Sequence, residues 1–84
     1  MVINFTPQFI RRYRKQEKKV REAFQRALLK FEADPFYPAL RTHKLKAFEG
    51  LWSFRVTYAH RVLFYFLNNS EVKLVNIGDH SIYE

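Results

Sequence analysis

Four side chains set the question of what this sequence can do: His43, Arg55, Arg61 and His80. Imidazoles can carry a proton near neutral pH, and guanidiniums can hold an anion by paired N–H groups; together they are the parts needed to cleave a phosphodiester without a metal. One group takes the proton from a ribose 2′-hydroxyl, cations stabilise the charge that builds at phosphorus, and another group protonates the departing 5′ oxygen. Lys44, Lys46 and His60 add cationic or titratable partners, and Tyr83 adds an aromatic face on which a base can stack. Each residue also has a plainer reading. Arg55 and Arg61 can be exposed strand cations, His43 part of a basic loop, His60 a turn residue, His80 a polar strand end and Tyr83 a packing group. Asp79 would orient the neighbouring His80 only if the chain bent there, because successive strand residues point apart.

Other chemistries find little support. With no Cys and no H-E-x-x-H, the chain offers no familiar metal motif, and with only Gly50 and Gly78 it has no glycine-rich phosphate loop. Ser81 beside His80 in an extended end would project to the opposite face, which disfavours a Ser/His/Asp hydrolase. Neither a metal nor a cofactor is expected.

These residues must be positioned by a small set of elements. "VINF" at 2–5 reads as a strand with Val2 and Asn4 on one face and Ile3 and Phe5 on the other. Thr6 and Pro7 start a helix as N-cap and first helical residue, followed by Phe9, Ile10 and Tyr13 at helical spacing. Val20, Phe24, Ala27, Leu28 and Phe31 continue that period to about Ala33, with a break expected near Lys18 and Lys19. The prolines of "ADPFYPAL" end the helix by Asp34, and a loop then carries Arg41, His43, Lys44 and Lys46. Trp52, Phe54, Val56 and Tyr58 alternate with Leu51, Ser53, Arg55 and Thr57 as in a half-buried strand, and Ala59-His60 reads as a tight hairpin turn. "RVLFYFL" is apolar on both faces, as a central strand should be; "NNSE" turns the chain, and "VKLVNIG" is the last strand. The expected fold is α+β, in the order β-α-α-β-β-β: a small, mainly antiparallel sheet with two N-terminal helices on one face, residues 1–84 forming one domain.

The 84 residues carry 15 Lys and Arg against eight Asp and Glu, a formal charge of +7. Seven of those cations lie between Arg11 and Arg21, and only Lys73 lies beyond Arg61. Such a field favours phosphate backbones, an acidic protein or an anionic membrane surface, while its plainer reading is a solvated helix face. The longest apolar run, "VLFYFL", falls far short of the ~18 to 20 residues that span a bilayer, and no signal stretch opens the chain. A cytoplasmic protein without a membrane partner is expected.

"LRTHKLKAFEGLWSFRVTYAHRVLFYFL" and "VKLVNIGDHSIYE" resemble the RelE/ParE superfamily of bacterial toxins, and within it the RelE/StbE and YafQ-like branch. The likeness rests on H-x-L at His43–Leu45, G-x-W-x-x-R at Gly50–Arg55 and a terminal I-G-x-H-x-x-[VIL]-[YF] represented by Ile77–Tyr83, one residue tighter than the pattern. The resemblance implies the toxin of a type II toxin–antitoxin system, a ribosome-dependent mRNA endoribonuclease or mRNA interferase that inhibits translation. It implies mRNA and the ribosome as partners, and a cognate antitoxin that neutralises the toxin in a hetero-oligomeric complex. His80, His43 and Arg55 take catalytic roles by this likeness, His60 and Tyr83 lie where relatives have a histidine and an aromatic, and Asn76 replaces an arginine of relatives, which removes one phosphate ligand unless Arg61 substitutes. Two alternatives belong to the same superfamily: a ParE-like toxin that inhibits DNA gyrase without cutting RNA, and a degenerate chain that only binds antitoxin.

Overall fold

Thr6 begins the helical half of the molecule: its backbone is extended and its hydroxyl accepts from the Phe9 N–H at 3.1 Å, with Pro7 as the first helical residue. The computed structural model describes the backbone of residues 1–83 and the side chains of residues 1–82. In chain order it contains β1 (Val2–Phe5), α1 (Pro7–Arg14), α2 (Lys18–Ala33), a 3₁₀ turn (Pro38–Leu40), β2 (His43–Lys44), β3 (Leu51–Arg55), β4 (Arg61–Asn68), β5 (Glu71–Gly78) and a second 3₁₀ turn (His80–Tyr83). The sheet order is β1-β5-β4-β3-β2, with β1 parallel to β5 and every other pair antiparallel.

The expected α+β order holds, with four local differences. The helices part earlier than expected, between Lys15 and Glu17. There the N–H groups of Lys15 and Gln16 bond three residues back, which tightens the last turn and ends α1. Gln16 Nε2 donates to Arg12 O at 3.2 Å and to Ile77 O at 3.4 Å, tying this break to the end of β5. A second difference is β2, a two-residue strand within the expected loop: it is too short for a periodic signal and exists because β3 offers an edge to pair with. Third, the β3–β4 reversal takes residues 56–60 rather than Ala59-His60 alone, because neither of those residues favours the positive φ of a two-residue turn. The tail after Gly78 is the fourth, a 3₁₀ turn rather than an extended end.

The core is aromatic. Phe9, Phe24, Phe31, Phe54 and Phe64 are buried, and Phe31 of α2 meets Phe54 and Phe64 of the sheet at ring-centroid distances of 4.6 and 5.1 Å. Each such ring, fully removed from water, contributes about 1.5–3 kcal/mol, and the edge-to-face pairing of Phe31 with Phe64 adds to it. The helices therefore lock onto one face, that of Trp52, Phe54, Val62, Phe64, Leu74 and Ile77. By register Arg55 and Arg61 belong to the other, although Arg55, at the end of the sheet, also lines a groove against α2. The middle of that second face is also closed, with Leu51, Ser53 and Leu63 buried.

Candidate functional site

Arg55 and Arg61 are Cα partners where β3 and β4 meet the hairpin, and Arg61 is in turn the partner of Gly78. Side chains opposite one another in an antiparallel pair share a face. One row of the sheet thus joins both arginines to the point from which His80 departs. His43 pairs with Ser53, two residues before Arg55 on β3, so it lies on the same face about 7 Å along the strand direction. The period of two that Arg55 and Arg61 obey individually becomes a site only through this register.

The two guanidiniums are used differently. Arg61 Nη1 donates to three hairpin carbonyls, Thr57 at 3.1 Å, Tyr58 at 3.3 Å and His60 at 3.2 Å, so that half of the fork braces the reversal. Arg55 Nε is buried and has no hydrogen-bond partner among the described residues. Its guanidinium carbon lies 5.8 Å from the Tyr58 ring centroid, a cation–π contact that places it without consuming its N–H donors. A buried donor without an acceptor costs about 1–3 kcal/mol. Of the pair, Arg55 is the one whose guanidinium is not committed to the hairpin carbonyls.

The histidines are also distinct. His43 Nδ1 lies 2.8 Å from the Arg41 carbonyl, and since a carbonyl can only accept, Nδ1 carries the proton. Its Nε2 is left as the acceptor of a neutral ring. This geometry depends on Arg41, the one non-glycine residue with positive φ (48°) among the described residues, which turns its carbonyl toward His43. In the hairpin, Thr57 Oγ1 accepts from the N–H groups of Ala59 at 3.2 Å and His60 at 3.1 Å. With both lone pairs occupied, the Thr57 hydroxyl proton points to His60 Nδ1 at 2.8 Å, and Nε2 of that ring carries its N–H. One imidazole is arranged to accept a proton and the other to donate a hydrogen bond.

Asp79 and His80 bend as Asp79 Oδ1 accepts from the N–H of Ser81 at 3.0 Å and its hydroxyl at 2.9 Å. Asp79 therefore caps the terminal turn, and that carboxylate oxygen is committed to Ser81. These two bonds hold its carboxyl below the usual 3.8, and the nearby His60 and His80 lower it further. The pairing of Arg61 with Gly78 places His60, Asp79 and His80 at one end of the sheet. The turn is seated by Ile82, which lies so close over Gly78 that a Cβ there would stand 2.5 Å from Ile82 Cγ2 and 3.5 Å from Arg12 Nη2.

Arg12 is the addition that sequence reasoning missed. On the helical wheel it belongs to the solvent side of α1, and no local signal shows that its guanidinium reaches Gly78 around the part of β5 that β1 leaves unpaired. The Asp-x-Ser spacing of Asp79 and Ser81, in contrast, is a readable turn signal. Lys44 pairs with Trp52, and the strand alternation turns it away from the arginine face; Lys46 lies beyond it in the loop. Asn76 accepts from the Ile77 N–H at 2.9 Å beside the irregularity in the β4–β5 register. The Tyr83 side chain lies outside the described residues. No cluster of potential metal ligands occurs among the described residues. Nor is any of their helices long and apolar enough to cross a membrane.

No protein-family model and no curated protein matches the sequence. Solved structures do. A YoeB/ParE toxin from Agrobacterium tumefaciens superposes with a TM-score of 0.77 at 19% identity, covering 95% of this chain and 99% of that one. The RelB-RelE antitoxin-toxin complex from Methanococcus jannaschii contains a chain matching at 0.76 and 13% identity, with 95% and 94% covered. The YoeB dimer from Staphylococcus aureus gives 0.75 at 21% identity, with 95% and 97% covered. At these identities the likeness is one of fold.

Proposed function

From a fold shared with the RelE and ParE toxins, we propose that this chain is the toxin of a type II toxin–antitoxin system. In this reading it cleaves mRNA on the ribosome by metal-independent acid–base chemistry, acts in the cytoplasm and is neutralised by a cognate antitoxin. The observation that supports the nuclease reading is the row Arg55–Arg61–Gly78, which lines up two arginines across neighbouring strands with the point from which the segment bearing His80 departs. A protein that only blocks gyrase has no use for this arrangement.

Arg55 binds the scissile phosphate and meets the charge that grows on its non-bridging oxygens. One histidine, His43 or His80, removes the 2′-OH proton; O2′ attacks phosphorus, the P–O5′ bond breaks, and a second imidazole gives its proton to O5′. The ring hydrogen bond of His43 suits it to the base role, and His80 on the opposite flank suits the acid role. Arg61 holds the hairpin that presents Arg55 and His60, while Lys46 and Tyr83 position the strand. Arg12, seated by Gly78, adds a cation to the same end. An antitoxin with an acidic segment complements the +7 field and stabilises the toxin by mass action on the folded state.

Primer extension on a defined mRNA in a reconstituted translation reaction tests this reading, with His80→Ala beside the parent chain. Cleavage by the parent and a loss of about 100-fold or more in the variant is expected for removal of an acid–base group. Intact mRNA with both proteins, together with inhibition of gyrase supercoiling, would instead identify a ParE-like inhibitor.

A further inference from the structure

Tyr58 is 87% exposed at the hairpin tip, the most exposed of the large apolar side chains described. It is rigidly backed, with the Arg55 guanidinium 5.8 Å from its ring centroid and its own carbonyl accepting from Arg61. Beside it runs a basic stripe. Lys19, Ala23, Arg26 and Lys30 recur at helical spacing along α2, next to the buried stripe Val20, Phe24, Ala27 and Phe31, and the three cations are exposed. Two grooves separate this stripe from the hairpin. One includes Lys19, Arg26, Tyr58 and His60 in its walls; the other includes Arg26, Lys30, Arg55 and Tyr58. Tyr58 and Arg26 are shared, so the two form one channel around the ring. It is continuous with the candidate site through Arg55 and His60.

We propose that this channel holds a single-stranded RNA segment flanking the cleaved phosphate, with one base stacked on Tyr58 and the backbone following Arg26 and Lys30. The inference rests on the nuclease reading for its direction, but its chemistry is independent of cleavage. An exposed aromatic between cations matches a polymer that alternates π-faces with phosphates. An anionic lipid surface would use the charges but not a solitary ring lodged between two grooves. An acidic peptide would likewise leave the stacking face unused. The alternation in sequence puts Tyr58 on the face of Trp52, Phe54 and Val56, which the helices cover, and the five-residue hairpin carries it past the end of the sheet, where its ring is exposed.

A short, fully 2′-O-methylated, fluorescein-labelled RNA measures binding without cleavage, by anisotropy with the full chain. Tyr58→Ala should weaken binding about 5- to 150-fold, the range for loss of one stacked base, and Tyr58→Trp should restore it. The double variant Arg26→Ala/Lys30→Ala should reduce the slope of log K against log salt by about 0.7 for each phosphate no longer neutralised. Thermal melting should be unchanged in Tyr58→Ala, which separates recognition from folding. Parent-like affinity in Tyr58→Ala would overturn the proposal, as would stronger binding to anionic vesicles or an acidic peptide with the same dependence on Tyr58. Tyr58-dependent binding with no cleavage on ribosomes would sink the nuclease reading and leave this one standing.

Discussion

Replacing Gly78 by alanine tests how the terminal turn is held. Gly78 does not have positive φ, so its backbone is open to any residue, and on entropy alone Gly→Ala stabilises a protein by about 0.4–1 kcal/mol. The contact geometry reverses that sign. The new Cβ would stand 2.5 Å from Ile82 Cγ2, where ordinary contact begins at 3.4 Å. Overpacking of this kind typically costs about 1–3 kcal/mol if both groups stay in place. Lifting Ile82 away is the competing response; Ile82 is only partly buried, so its release forfeits about 1 kcal/mol, less than a fully buried side chain would. The second route is the cheaper, so Gly78→Ala should unseat the turn; set against the entropic gain, the net loss is at most about 0.6 kcal/mol and the drop in Tm at most about 5 °C. Amide exchange at Ser81 and Ile82 should quicken and, on the proposed nuclease reading, ribosome-dependent cleavage should fall because His80 travels with the turn. Ile82→Ala removes the colliding methyl, so adding Gly78→Ala to it should cost little, a coupling of about 1 kcal/mol in a double-mutant cycle. A Gly78→Ala protein as stable as its parent, with effects additive to Ile82→Ala, would show that the turn is not held by this contact.

Two further outcomes follow from the same geometry. Phe31 has no exposed surface and packs on Phe54 and Phe64, so Phe31→Ala should cost about 3–5 kcal/mol in urea unfolding, a large share of the stability of so small a domain; a loss below about 1 kcal/mol would mean that the core collapses around the gap. Asp79, its folded pKa lowered first by its bonds to Ser81, contributes stability above the usual value of 3.8 that is lost as pH falls through the lowered value. The Ser81 amide signal should therefore move below pH 3.8, and Asp79→Asn should abolish that movement; a midpoint at or above 3.8 would contradict the capping bonds.

The covering partner proposed above would also have a physical motive. Phe5 and Ile10 are exposed in a groove that α1 and α2 line, and Phe36 and Leu67 are exposed elsewhere. A small domain with apolar side chains in water and a charge of +7 gains from a partner that covers the first and balances the second.

Short-range physics decides how much of this molecule is legible in its sequence. Thr6-Pro7 can only open a helix well, the spacing of Val20, Phe24, Ala27 and Phe31 sets which face of α2 is buried, and the apolar run of β4 demands a central place in the sheet. The candidates Arg55, Arg61 and His80 are visible there as single side chains. Their meeting is not, because register is a relation between distant segments: Arg55↔Arg61↔Gly78 follows from pairings that no local period contains. Folding in three dimensions commits half of the Arg61 fork to the hairpin, leaves Arg55 Nε without an acceptor among the described residues, brings Arg12 to Gly78 and carries Tyr58 beside α2. Hydrogen-bond assignments and long-side-chain reach depend on which strands and helices become neighbours. That choice belongs to the aromatic core, whose packing energy is shared by residues from both ends of the chain.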